Sequence, residues 1–115
     1  MSRLTTHVLD LVLGRPAQGL LLRLYPANAK ELLAECQTDE TGRAVCVPLR
    51  GEPLATGRYE LVFAIGNYFV RTGVSLHDPP FLEEIVVRFG LNDKESDYHI
   101  PLLVTPWSYT IYRGR

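Results

Sequence analysis

Apolar and polar residues alternate along most of this chain, in short runs broken by Gly, Pro, Asn and Asp. A period of two puts successive side chains on opposite faces of an extended strand, whereas one face of a helix repeats every three to four residues. Thr5 to Leu11 alternates, and Gly14-Arg15-Pro16 then turns the chain. Leu20, Leu22 and Leu24 share a face of the run from Gly19 to Tyr25, which Pro26-Ala27-Asn28 ends. Asp39-Glu40-Thr41-Gly42 has the composition of a tight turn and leads into a run from Arg43 to Leu49. Tyr59, Leu61, Phe63 and Ile65 share a face, as do Ile85, Val87 and Phe89. Lys30 to Thr38 reads both ways: its Glu, Ala and Leu suit a helix, but its neighbours favour a strand. The remaining helical segment is short, near Asn67 to Arg71.

The last two runs separate their faces most clearly. Ile100, Leu102 and Val104 oppose His99, Pro101, Leu103 and Thr105; after Pro106, Trp107, Tyr109 and Ile111 oppose Ser108, Thr110 and Tyr112. One face of each run is bulky and apolar, as a core requires. The other mixes aliphatic and polar groups and suits a second contact surface. If Tyr109 and Ile111 face the core, His99, Thr110 and Tyr112 project together onto the outer surface. Pro101 cannot donate to a ladder, so it belongs where the pairing is interrupted or faces outward. About eight short strands with close turn signals predict an all-β, antiparallel β-sandwich with one short helix.

Length sets this as a single domain, residues 1–115, long enough for a sizeable core. Twelve basic against thirteen acidic residues leave a net charge of -1, which recruits neither nucleic acid nor an anionic membrane. Apolar stretches such as Leu61 to Ile65 are far shorter than the ~20 residues that span a bilayer. Met1 to Asp10 lacks an apolar signal core, and the expected location is the cytoplasm. Cys36 and Cys46 have no neighbouring His or Cys at metal-ligand spacing. They read as packing thiols, and no metal site is expected.

The chain opens with Leu4-Thr5-Thr6-His7-Val8-Leu9-Asp10, then Gly14-Arg15-Pro16-Ala17. It closes with Tyr98-His99-Ile100-Pro101-Leu102-Leu103 and Tyr109-Thr110-Ile111-Tyr112-Arg113-Gly114. Between them come Thr38-Asp39-Glu40-Thr41-Gly42-Arg43, Tyr59, Phe63 and Asn67-Tyr68-Phe69. Over essentially its whole length this resembles the transthyretin-related proteins that act as 5-hydroxyisourate hydrolases. The resemblance implies a transthyretin-like sandwich, assembled as a homotetramer with sites in channels between paired dimers. It implies hydrolysis of a cyclic amide bond of 5-hydroxyisourate in urate oxidation, giving 2-oxo-4-hydroxy-4-carboxy-5-ureidoimidazoline, without a cofactor. The family's catalytic histidines map onto His7 and His99, its arginine onto Arg43, and a C-terminal tyrosine onto Tyr112. Thr110 and Arg115 are the further substrate-binding candidates. Two positions depart from the family pattern: Asp97 stands where a histidine is usual, and Arg115 replaces a terminal serine counted among the site residues.

The residue types suit the chemistry by themselves. Opening a cyclic amide needs an activated water, a stabiliser for the developing oxyanion and a proton for the leaving nitrogen. Histidine serves the first and third because both its forms exist near neutral pH. Arginine serves the second, and its planar fork can grip an imide-like edge at two points. One histidine, His7 or alternatively His99, activates water while the other, with Arg43, positions the substrate and stabilises charge; the residue types leave both assignments open. Read without the motifs, each is ordinary: a solvated histidine at a strand start, an edge-strand cation, an interface aromatic at Tyr112. His77 lies in a loop of Leu-His-Asp-Pro-Pro and reads as surface; Asp10 reads as a turn cap. The rival function is a non-catalytic carrier holding a small hydrophobic molecule in the same channel. The two histidines and the Tyr112-Arg113-Gly114 segment argue against it, because such a channel is better lined by smaller, apolar groups.

Overall fold

The computed structural model describes residues 3–114. Each alternating run becomes a strand that buries one face. In chain order the elements are β1 (Leu4–Asp10), β2 (Arg15–Pro16), β3 (Leu21–Pro26), β4 (Ala34–Gln37), β5 (Arg43–Cys46), β6 (Gly57–Phe63), α1 (Ile65–Arg71), β7 (Ile85–Leu91), β8 (Tyr98–Val104) and β9 (Tyr109–Ile111). One sheet has the order β2-β1-β8-β9, with β5 also paired to β1; the other has the order β4-β3-β6-β7. Val8, Leu22, Leu24, Leu61, Phe63, Leu102 and Val104 fill the space between them without exposure. Burying each such side chain contributes about 1.5–3 kcal/mol.

The all-β sandwich with one short helix is therefore as the alternation predicts, with four differences of detail. Nine strands occur among the described residues, the shortest being two-residue β2, which folds back from the Gly14 turn onto Leu9 and Asp10. The ambiguous segment resolves as strand β4, paired antiparallel with β3. The helix starts at Ile65, two residues before the expected Asn67, so Ile65 belongs to α1 instead of prolonging β6. Finally, β1 and β8 run parallel, with Leu4 opposite Tyr98 and Asp10 opposite Val104. Strands joined by tight hairpins must be antiparallel, but no such turn links these two, and either direction is open to them.

Buried Asp10 ties the helix to this frame. Its carboxylate accepts hydrogen bonds from the Val12 and Leu13 amides and from the Tyr68 hydroxyl of α1. The turn-capping role read from sequence thus extends to anchoring the helix. Burial, then the bond to Asp10, pushes the Tyr68 hydroxyl well above the usual phenol range. Among the described residues no helix is long and apolar enough to cross a membrane.

Candidate active site

Strand β1 carries the site because its two neighbours bring in the remaining groups. On one edge His7 stands opposite Arg43 of β5; on the other, Thr5 stands opposite His99 of β8. Residues directly opposed in a ladder share a face of the sheet. Leu4, Thr6 and Val8 point into the core, so Thr5, His7, Arg43 and His99 all project from the outer face. His7 and His99 are half-buried there and Arg43 is exposed.

Hydrogen bonds fix both imidazoles. Nε2 of His7 lies 2.9 Å from the Thr41 carbonyl oxygen. A carbonyl only accepts, so Nε2 carries a proton, and Nδ1 is the acceptor of the neutral ring. Nδ1 of His99 lies 2.7 Å from Oγ1 of Thr5, which leaves Nε2 of that ring for proton exchange. Partial burial, and then the positive charges of His7 and Arg43, hold the His99 pKa below the ordinary imidazole value of 6.5.

The β4–β5 corner sets the positions of both Thr41 and Arg43. One oxygen of Asp39 accepts from the Thr41 amide at 2.8 Å, the Thr41 hydroxyl at 2.6 Å and the Arg43 amide at 3.1 Å. These bonds, the Thr41 hydroxyl foremost, keep the Asp39 carboxyl below its usual range. Gly42 takes a φ of 80°, and a Cβ at that position would lie 2.5 Å from the Val8 carbonyl oxygen. Only glycine lets the corner press this closely on β1.

The C-terminal segment closes the other side. β9 ends at Ile111, opposite Leu102, so no strand residue continues the pairing beside Pro101. Contact resumes at Gly114, whose amide donates to the His99 carbonyl at 2.7 Å. A Cβ on Gly114 would come within 2.6 Å of Cδ2 of His99. The guanidinium of Arg113 covers the Tyr98 ring at 4.3 Å and fastens the segment.

The structure thus gathers His7, Arg43 and His99 on one face. It does not bring Thr110 or Tyr112 to them within a single chain. Thr110 stands opposite Leu103, four positions along β8 from His99, or roughly 13 Å at strand spacing. Tyr112 lines a cavity of about 140 Å³ with Phe89, Tyr98, Ile100 and Arg113. Tyr109 and Ile111 share the Leu102 and Val104 side as the alternation predicts, yet with Trp107 they are 45, 38 and 61 % exposed. They occupy the open edge of the sandwich, where the second sheet does not cover them. Arg115 lies outside the described residues. Asp97, at the family's histidine position, is exposed and accepts from the Arg3 amide. Four contributors escaped the sequence reading: Thr5, Asp39, Gly114 and the Thr41 carbonyl. Thr5 was findable, two residues before His7 and so on its face; a backbone carbonyl has no side-chain signature. Among the described residues no group of three or more His, Cys, Asp or Glu gathers as a metal site.

A family model described as HIUase/Transthyretin family matches residues 4–114. The chain belongs to that HIUase/transthyretin family. A 5-hydroxyisourate hydrolase 2 of Rhizobium meliloti is 50% identical over 98% of this chain and 96% of the relative. The solved structure of Klebsiella pneumoniae 5-hydroxyisourate hydrolase superposes with a TM-score of 0.83 at 31% identity, each chain covered completely. An (S)-allantoin synthase structure matches with a TM-score of 0.84 at 36% identity over 99% of this chain. This family member spans only 44% of that longer synthase chain.

Proposed function

We propose that this chain, acting as one domain of residues 1–115, hydrolyses 5-hydroxyisourate, with His7, Arg43 and His99 as its catalytic groups. The observation that carries the reading is the register of β1. It sets one proton-accepting imidazole beside a guanidinium on one edge and near a second imidazole on the other. Neutral His7, its Nε2 proton held by Thr41, presents Nδ1 as base to a water. As that water adds to the ring carbonyl, negative charge develops on oxygen, and Arg43 offsets it. His99, whose imidazolium form is disfavoured first by partial burial and also by the charge of Arg43, exchanges a proton through Nε2 while Thr5 holds Nδ1. The proton reaches the departing ring nitrogen and the carbon–nitrogen bond breaks.

Thr110, Tyr112 and Arg115 complete the proposal as substrate contacts supplied across an assembly of chains. A homotetramer in the cytoplasm is part of the same reading, supported by the apolar surface that one chain leaves uncovered. A carrier function is less well supported, since two imidazoles and a guanidinium make a poor lining for an apolar ligand.

Freshly generated 5-hydroxyisourate loses absorbance as its ring opens. The protein should speed that loss, and His7→Ala and His99→Ala should each slow it by roughly 10²–10⁴-fold. Decay with the intact protein no faster than in buffer would sink the proposal.

A further inference from the structure

Cys36 of β4 and Cys46 of β5 take no part in this chemistry, yet their sulfurs are 3.6 Å apart. The two strands belong to different sheets. Cys36 stands opposite Leu22 and Cys46 opposite Leu4, and both of those leucines are buried. The pair therefore links the two layers from the core side. Cys46 is buried and Cys36 half-buried, so a small reagent reaches Cys36 first. Between the two cysteines the chain turns the corner that holds Asp39, Thr41, Gly42 and Arg43.

We propose that Cys36 and Cys46 are a peroxide-sensitive dithiol whose oxidation to an intrachain disulfide clasps the two sheets beneath that corner. A disulfide bond is ~2.05 Å long, and movement of the two side chains closes the remaining gap. The contact also sets the order of events. The hydrogen bond from Cys46 holds the Cys36 thiol below its ordinary pKa, while that bond and burial push Cys46 up. The Cys36 thiolate attacks one oxygen of hydrogen peroxide. An S–O bond forms, the O–O bond breaks, and the departing hydroxide takes a proton to leave as water. Cys46 then gives up its proton and attacks the Cys36 sulfur. The S–S bond forms, the S–O bond breaks, and hydroxide leaves with that proton as a second water. Together the two thiols lose two electrons and one peroxide becomes two waters.

His7, Arg43 and His99 project from the opposite face of their sheet, so the clasp braces the corner without entering the site. That consequence rests on the proposed location of the site; formation of the bond does not. The test treats reduced full-length protein with hydrogen peroxide and quenches it in denaturant with N-ethylmaleimide. Intact mass, thermal unfolding and ring-opening activity are then read before and after dithiothreitol. The expected product is a single chain lighter by two hydrogens, carrying no maleimide, with a Tm higher by roughly 10 °C and activity retained. Dithiothreitol should reverse the mass change and the Tm gain. Cys36→Ser, at the more accessible position, should fold, keep one alkylatable thiol and gain no reversible Tm increase. Two maleimides on treated wild-type protein, oxygen adducts without a cross-link, or disulfides only between chains would each overturn the dithiol. A cross-linked chain with unchanged Tm would overturn the clasp, and one that loses its activity would overturn the separation of clasp and site. If reduced protein opens no ring at all, the functional reading fails while the mass result still decides the dithiol.

Discussion

In the proposed reaction Arg43 would have two separable effects, one on the substrate through its shape and one on His99 through its charge. Its planar fork can hold two acceptors at once, whereas lysine offers a compact ammonium on a flexible stem. Arg43→Lys should therefore lower kcat/KM by roughly 10–100-fold with little effect on stability, because the side chain is exposed. Charge acts on His99, whose pKa is depressed by burial, by His7 and by Arg43. Removing a positive neighbour makes the imidazolium easier to form. In Arg43→Gln the His99 pKa should thus rise towards 6.5, read by an NMR titration of the ring, and the fall in activity on acidification should begin at higher pH. A His99 titration identical in the two proteins would show that the guanidinium does not act on this ring. The sign also carries to folding. A histidine with a folded pKa below its unfolded value protonates first in the unfolded chain, so its contribution to stability diminishes as pH falls below about 6.5.

At the scale of the element, the β4–β5 corner decides where Arg43 and the partner of His7 stand. Its geometry depends on Gly42, which combines a left-handed backbone with a close approach to the Val8 carbonyl oxygen. Gly42→Ala meets backbone on both counts, and backbone cannot swing aside as a flexible side chain can. The variant should lose about 1–3 kcal/mol in urea unfolding and also lose activity, since displacing the corner moves the Thr41 carbonyl away from His7. Unchanged stability together with full activity would mean that the corner adapts without strain. Some of this element was legible beforehand. Asp39-Glu40-Thr41-Gly42 announces a tight turn through its residue types, and the alternation from Arg43 onward fixes which side chains point outward. The parallel pairing of β1 with β8 was not legible, because a strand alternates identically in either direction. Nor was the hydrogen bond from Tyr68 to Asp10, which joins residues far apart in sequence through a helix whose docking no local pattern records. Parity puts His99 on an outward face with Thr110, and the motifs add His7; that His7 and His99 share a face and that Thr5 holds His99 follow only from the register of β1 with β8.

At the scale of the whole molecule, the trio occupies an open sheet face, while cavities of about 660 and 140 Å³ are lined by other residues. Small-molecule sites are ordinarily concave and bury most of their ligand. On the proposed reading, a lone chain would supply the reactive groups without walls to exclude water. The apolar side chains it exposes include two groups: Leu11, Val12 and Leu13 on the β1–β2 turn, and Trp107, Tyr109 and Ile111 around β9. β9 and β7 are moreover edge strands of the two sheets, with ladder groups available for pairing. These features together argue that copies associate and that the missing walls come from neighbours, which is how Thr110 and Tyr112 would contribute to a site they do not reach within their own chain. Wild-type protein should then scatter light as a particle of about four times the 13.0 kDa chain. Ile111→Asp places a charge on the exposed β9 edge, where it costs little in a single chain but much between two apolar surfaces. The variant should shift toward monomer with an unchanged far-UV circular dichroism spectrum, and its ring-opening rate should fall in step with the loss of assembly. Activity undiminished in a folded monomer would show that one chain builds a complete site.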